Sequence, residues 1–237
     1  MVHSPARRHL QRVEAARAAA RTAAGQPMPG TGIYEQMLLQ LASDRARLKQ
    51  IQSGEGKARL KAELLPAYDP YVDGVLAEGL GAQDEVISTV MLWHIDAGSF
   101  TRALELARYV LAHGLKMPDR FERTTGCVVA EEVAEAALSA QRTGAVFELD
   151  HLDTAVALSE GQDMPDQVRA KLLLARARTL LANDAETAVH EVEPPALEAA
   201  IADLRRAIAL HDSCGGKKDL ERAERLLKKR ADSVAQR

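Results

Sequence analysis

The chain has 237 residues, 46% hydrophobic but only 3% aromatic, and its 31 Lys and Arg nearly balance its 34 Asp and Glu for a formal charge of −3. That length buries a core in one or two domains, and the 42 alanines, with few aromatic or β-branched runs, favour helices over a sandwich or barrel. No run approaches the ~18 apolar residues of a membrane span, there is no apolar signal segment at the N-terminus, and Cys127 and Cys214 cannot build a disulfide framework. The expectation is therefore an all-α, intracellular chain.

Residues 4–24 are helix-prone, with Leu10 and Val13 as their sizeable apolar side chains. Such a segment reads as an arm that cannot bury a face of its own. It carries Arg7, Arg8, Arg12, Arg17 and Arg21, with Arg8 and Arg12 pointing one way and Arg17 and Arg21 nearly opposite. The Gly25-Gln26-Pro27-Met28-Pro29-Gly30 linker ends it. Ile33, Met37, Leu38, Leu41, Leu48 and Ile51 then follow helical spacing up to Gly54 and Gly56, and another helix runs to Leu64-Leu65-Pro66. Asp69-Pro70 reads as an N-cap with proline at the first helical position.

The most apolar helix is expected over Gln83–Asp96, and Ala97-Gly98 turns the chain into a return helix over Thr101–His113. This hairpin is the expected centre of the core and of oligomer contacts, through Val86, Val90, Leu104 and Val110. Residues 114–128, with Met117-Pro118-Asp119 and Thr124-Thr125-Gly126, read as a loop. Further helices are expected over Ala130–Arg142, about 150–160, from Met164-Pro165-Asp166 to Leu181, over Pro195–His211, and over Asp219–Arg230. Ala97–His113 and Ala196–His211 share a loose Ala/Leu pattern like that of tetratricopeptide-type helix pairs, without a regular period. The expected divisions are a basic arm and linker (1–32), a helical core and oligomerisation domain (33–162), and a tetratricopeptide-like helical region with a basic last helix (163–237).

The small net charge hides an asymmetry. Residues 1–25 set five arginines against Glu14, and residues 217–237 set eight bases against four acids, so each end is +4 and residues 26–216 are −11. Basic ends on an acidic body suit contact with a polyanion, or simply solubility. In the last helix Lys218, Arg222, Arg225 and Lys229 fall at i, i+4, i+7 and i+11, opposite Leu220, Ala223, Leu226 and Leu227. That face can meet phosphates while the helix stays docked, or it can be an ordinary solvated face.

No catalytic motif stands out. Gly54-Glu55-Gly56-Lys57 and Gly215-Gly216-Lys217-Lys218 lack the loop and hydroxyl of a P-loop. The seven histidines show no metal-ligand spacing, so no metal or cofactor is expected. A Mg²⁺-dependent nuclease would need converging carboxylates. Glu131, Glu132 and Glu135 are the alternative candidates, although acids at a helix start also stabilise its dipole, as Asp163 and Asp166 do at theirs.

Several strings occur together in order: Ser4-Pro5-Ala6-Arg7-Arg8-His9, Tyr34-Glu35-Gln36-Met37-Leu38, Glu63-Leu64-Leu65-Pro66, Gly81-Ala82-Gln83-Asp84 and Met91-Leu92-Trp93. They continue with Ala103-Leu104-Glu105-Leu106-Ala107-Arg108-Tyr109, Gly114-Leu115-Lys116-Met117-Pro118, Glu131-Glu132-Val133-Ala134 and Asp163-Met164-Pro165-Asp166. In order and spacing this set resembles the small terminase subunit of contractile-tailed, cohesive-end phages of the peduovirus type, also labelled the terminase endonuclease subunit. The resemblance implies packaging of viral double-stranded DNA in the cytoplasm of an infected bacterial host. It also implies a homo-oligomer, typically a ring, that hands DNA to a large ATPase subunit. On that footing DNA contact is expected at Arg7, Arg8, Arg12, Arg17 and Arg21, and secondarily at Lys218, Arg222, Arg225 and Lys229.

Overall fold

The computed structural model describes residues 4–28, 32–117, 123–182 and 194–235; among them eleven α-helices follow one another and no strand forms. Pro29-Gly30 of the expected linker and Pro118-Asp119 of the expected loop lie outside the described residues. The chain divides into two compact units, Met1–Thr125 and Gly126–Arg237, whereas the sequence suggests boundaries at 32 and 162.

The first unit holds α1 (Pro5–Arg21), α2 (Gly32–Lys49), α3 (Gly54–Leu64), a 3₁₀ turn (Leu65–Ala67), α4 (Asp69–Glu78), α5 (Glu85–Asp96) and α6 (Phe100–Ala112). The Ser4 hydroxyl accepts the Arg7 N–H and Pro5 opens the first turn, which starts α1 as proline and a short polar cap usually do. Contrary to the expectation of a free arm, α1 packs along α4 and buries Gln11, Ala15, Ala18 and Ala19. Small side chains make this possible, because they let two backbones approach closely. A Cβ on Gly74 of α4 would collide with the Arg12 carbonyl and lie 2.9 Å from Ala15 Cβ. Leu10, by contrast, is exposed. Beyond α1 the chain is tied down by Gly25 N–H to Gly81 O (2.8 Å) and Gln83 N–H to Gln26 O (2.9 Å).

Every residue from Val86 to Ile95 of α5 is buried. Val86, Val90 and Val110 have no exposed surface and Leu104 is 4% exposed, so these side chains fill the unit's own core. That corrects their assignment to an oligomer surface: hydrophobicity marks burial but not which chain does the burying. Trp93 lies edge-on to Tyr68 with centroids 5.9 Å apart, and the Tyr68 hydroxyl donates to Asp44 Oδ2. Asp69, expected as a cap, is instead the first residue of α4, entered directly from the 3₁₀ turn.

The cap of α5 is Asp84, whose Oδ1 accepts the N–H groups of Val86 (2.8 Å) and Ile87 (3.1 Å) while Oδ2 accepts the Tyr71 hydroxyl (2.6 Å). Burial raises its carboxyl to about pKa 6, against the opposing pull of those donors. At the other end of α5, His94 is 6% exposed and neither ring nitrogen has a hydrogen-bond partner among the described residues. Burial, helped by the nearby Arg102, lowers it to about pKa 4, with Glu105 acting the other way.

These two groups tilt stability in opposite directions with pH. Folded His94 binds fewer protons than unfolded His94 between pH 4 and 6.5, so its contribution is lost as pH falls through that window. Folded Asp84 binds more protons than the unfolded residue between pH 3.8 and 6, so its contribution is lost as pH rises. Each swing is about 3 kcal/mol, so the two contributions nearly cancel between pH 4 and pH 6. His94→Leu should expose the Asp84 slope, with stability to urea rising from pH 6 to pH 4; an unchanged profile would contradict this account.

The second unit holds α7 (Thr125–Thr143), α8 (Leu149–Ser159), α9 (Asp166–Ala182), α10 (Pro194–Leu210) and α11 (Lys217–Ala235). The loop expected over 114–128 ends early, because Thr125 and Gly126 already belong to α7. Gly126 sits there since a Cβ would meet the Gln162 side chain at 2.6 Å. Helices α9, α10 and α11 pack each on the next around Leu174, Leu180, Leu197, Ala200, Leu204 and Ala223. Arg176 stitches this unit by pairing with Asp153 (2.5 Å) and Asp203 (2.7 Å).

Candidate nucleic-acid interface

All five α1 arginines are exposed, and none pairs with a carboxylate among the described residues. At 3.6 residues per turn, Arg8 and Arg12 lie on one flank of the buried Gln11–Ala19 stripe, and Arg17 and Arg21 lie on the other. Docking of α1 therefore fixes these charges in place without gathering them on one face.

Helix α11 is organised differently. Leu220 and Leu227 pack on the α9–α10 core, and Ala223 is fully buried against it. Two of its acids turn the same way: Asp219 pairs with Arg178 of α9 (2.8 Å), and Glu224 pairs with Arg205 of α10 (2.7 Å). Lys218, Arg222, Arg225 and Lys229 stay exposed, with no carboxylate partner among the described residues. The helix thus turns apolar groups and two carboxylates toward α9 and α10 and keeps a row of cations outward, with the exposed Glu221 at its edge. The cationic row is legible in sequence. The inward pairing is not, since it needs arginines 41 and 19 residues away.

The alternative catalytic acids lie on α7. Because that helix begins at Thr125, Glu131 and Glu132 are beyond its first turn, so helix-dipole stabilisation does not explain them. Both are partly buried, while Glu135 is exposed and pairs with Lys171 (2.9 Å). Among the described residues no group of three or more His, Cys, Asp or Glu is placed to hold a metal ion.

Neither glycine-lysine string forms a phosphate loop. Gly54–Lys57 opens α3, where the Ser53 hydroxyl accepts the Gly56 N–H (3.1 Å). Gly215-Gly216 makes the α10–α11 turn, with Gly215 at φ +90°. No helix among the described residues is long and apolar enough to cross a membrane.

Residues 38–167, more than half of the chain, match the family of the phage small terminase subunit. The chain belongs to that family. Over 225 residues, covering 95% of this chain and 86% of the relative, it is 45% identical to the terminase, endonuclease subunit, of Escherichia phage P2. No solved structure matches it. The family match begins within α2 and ends at the start of α9, leaving α1, α10 and α11 outside it. The similarity to the phage P2 protein, in contrast, extends over nearly the whole chain.

Proposed function

We propose that this chain is the DNA-recognition and assembly subunit of a phage packaging machine, acting in the host cytoplasm. It binds viral double-stranded DNA at the cohesive-end site, forms a homo-oligomeric ring and delivers DNA to the large ATPase subunit. The observation that carries the DNA contact is α11, where Asp219 and Glu224 pair with arginines of α9 and α10 while four cations face outward with the exposed Glu221 at their edge. The α1 arginines supply a second, less concentrated set of phosphate contacts. Oligomer contacts must use surfaces other than the buried faces of α5 and α6.

Binding to duplex DNA carrying the packaging site should separate the two sets. Replacing Lys218, Arg222, Arg225 and Lys229 with Gln should lower the slope of log K against log salt by about 0.9 for each phosphate left unneutralised. Replacing the five α1 arginines with Ala should weaken binding by a smaller amount. Both sets are exposed, so the melting temperature serves as a folding control. Wild-type affinity and salt slope in both variants together would overturn the DNA-binding reading. Native mass with and without DNA tests the ring.

The name of the phage P2 relative favours a second reading, in which this subunit makes the Mg²⁺-dependent cohesive-end cut. Purified chain incubated with site DNA and Mg²⁺ tests it directly. Nicking that is lost in Glu131→Gln, Glu132→Gln or Glu135→Gln would favour that reading. Binding to the large subunit without any DNA retardation would leave only a scaffold role.

A further inference from the structure

A cleft of about 640 Å³ opens within the first unit, between the end of α2, the start of α3 and the chain that follows α6. Its lining includes five cations, Arg45, Lys49, Lys57, Lys61 and Lys116, and two carboxylates, Asp84 and Glu85. The carboxylates are already engaged. Asp84 caps α5, and Glu85 pairs with Arg45 (2.5 Å), whose other nitrogen donates to Thr89 Oγ1. Lys61 pairs with Asp96. Lys49, Lys57 and Lys116 have no carboxylate partner among the described residues.

Lys49, Lys57 and Lys116 line one concavity with no carboxylate paired to them among the described residues, and their like charges repel one another unless an anion joins them. The cleft is also built rather than incidental. The Lys116 N–H donates to Gln83 Oε1 (2.9 Å), and its carbonyl accepts the Ser88 hydroxyl (3.0 Å). Gln83 in turn is bound to Gln26, beside Pro27. The remaining wall is apolar or aromatic, with Pro27, Tyr34, Leu48 and Met117.

The size of the cleft suits a small ligand. Clefts for small molecules occupy about 300–1,000 Å³, whereas a single strand needs a longer groove that tracks its backbone over several nucleotides. Lysine ammonium groups are mobile point charges suited to phosphate oxygens. We infer that this cleft binds a nucleoside triphosphate, with Lys49, Lys57 and Lys116 at the phosphates and the Pro27–Leu48–Met117 wall beside the base. This inference does not rest on DNA contact through α1 or α11.

Calorimetry on the full chain at low salt, with ATP and no divalent cation, tests the proposal. ATP should bind at one site per chain and raise the melting temperature, and inorganic tripolyphosphate should compete for it. Lys49→Gln, Lys57→Gln and Lys116→Gln should each weaken binding about tenfold, as expected for one charge-assisted hydrogen bond. The α11 glutamine variant should bind ATP as wild type does, which separates this site from the DNA surface. Absence of ATP binding, or unchanged affinity in all three lysine variants, would overturn the proposal. Tighter binding of a short single-stranded oligonucleotide through the same lysines would also overturn it, in favour of a strand site.

Discussion

Replacing Asp84 with alanine should lower the unfolding free energy of the first unit by about 3 kcal/mol at pH 5. Two losses combine. The N-terminus of α5 loses its cap, worth about 1 kcal/mol, and the buried Tyr71 hydroxyl loses its partner, at about 1–3 kcal/mol. The deficit should shrink toward pH 7, because a carboxyl raised to about pKa 6 by burial stabilises the fold less as it ionises. Asp84→Asn separates the two effects. Its oxygen can still accept both amide N–H groups and its NH₂ can face the Tyr71 oxygen, so it should keep most of the stability and lose the pH dependence. Denaturant titrations read by Trp93, the chain's single tryptophan and a 1% exposed core residue of this unit, measure both variants. Equal stability of the alanine variant and wild type at pH 5 would show that Asp84 does not hold α5 in this way.

A comparable loss, about 3 kcal/mol, is expected from Gly74→Leu. Overpacking a close contact typically costs about 1–3 kcal/mol, and here the first added carbon already meets backbone, the Arg12 carbonyl and the Ala16 nitrogen (3.0 Å). Backbone cannot move aside as a flexible side chain can, so α1 should lift from α4. Hydrogen exchange should then show the amides of α1 losing protection, while α5 and α6 keep theirs. Gly74→Ala should show the same pattern more weakly. Full protection of α1 in the leucine variant would mean that the helix pair tolerates wider spacing.

Most helix positions are legible because their signals are local. Pro and Asp open α9 at Met164-Pro165-Asp166, the apolar run marks α5, although the expected start at Gln83 places its cap Asp84 inside the helix, and Ala97-Gly98 turns the hairpin, where Gly98 adopts φ +74°. The features that sequence misses depend on distant partners. Counting only large apolar side chains hides the docking of α1, since Ala15, Ala18 and Ala19 become a packing face only opposite Gly74. Gly126 looks like a helix breaker until Gln162 supplies the reason for a glycine there. The four hairpin residues expected at an oligomer surface are hydrophobic as their pattern requires, but their neighbours belong to the same chain. Of the site, the α11 row follows from residue spacing alone, while the cationic cleft draws its charged side chains from positions 45 to 116 and has no signature in any one segment.

The inward pairs of α11 bear on what rising ionic strength does to this helix. Salt screens the Arg178–Asp219 and Arg205–Glu224 pairs as well as any attraction between the outward cations and a polyanion. The burial of Ala223, with Leu220 and Leu227 beside it, is not screened, because removing apolar surface from water involves no net charge. The helix therefore keeps its seat at salt concentrations that screen its outer face, and a polyanion bound there in the way proposed would leave the surface intact on release.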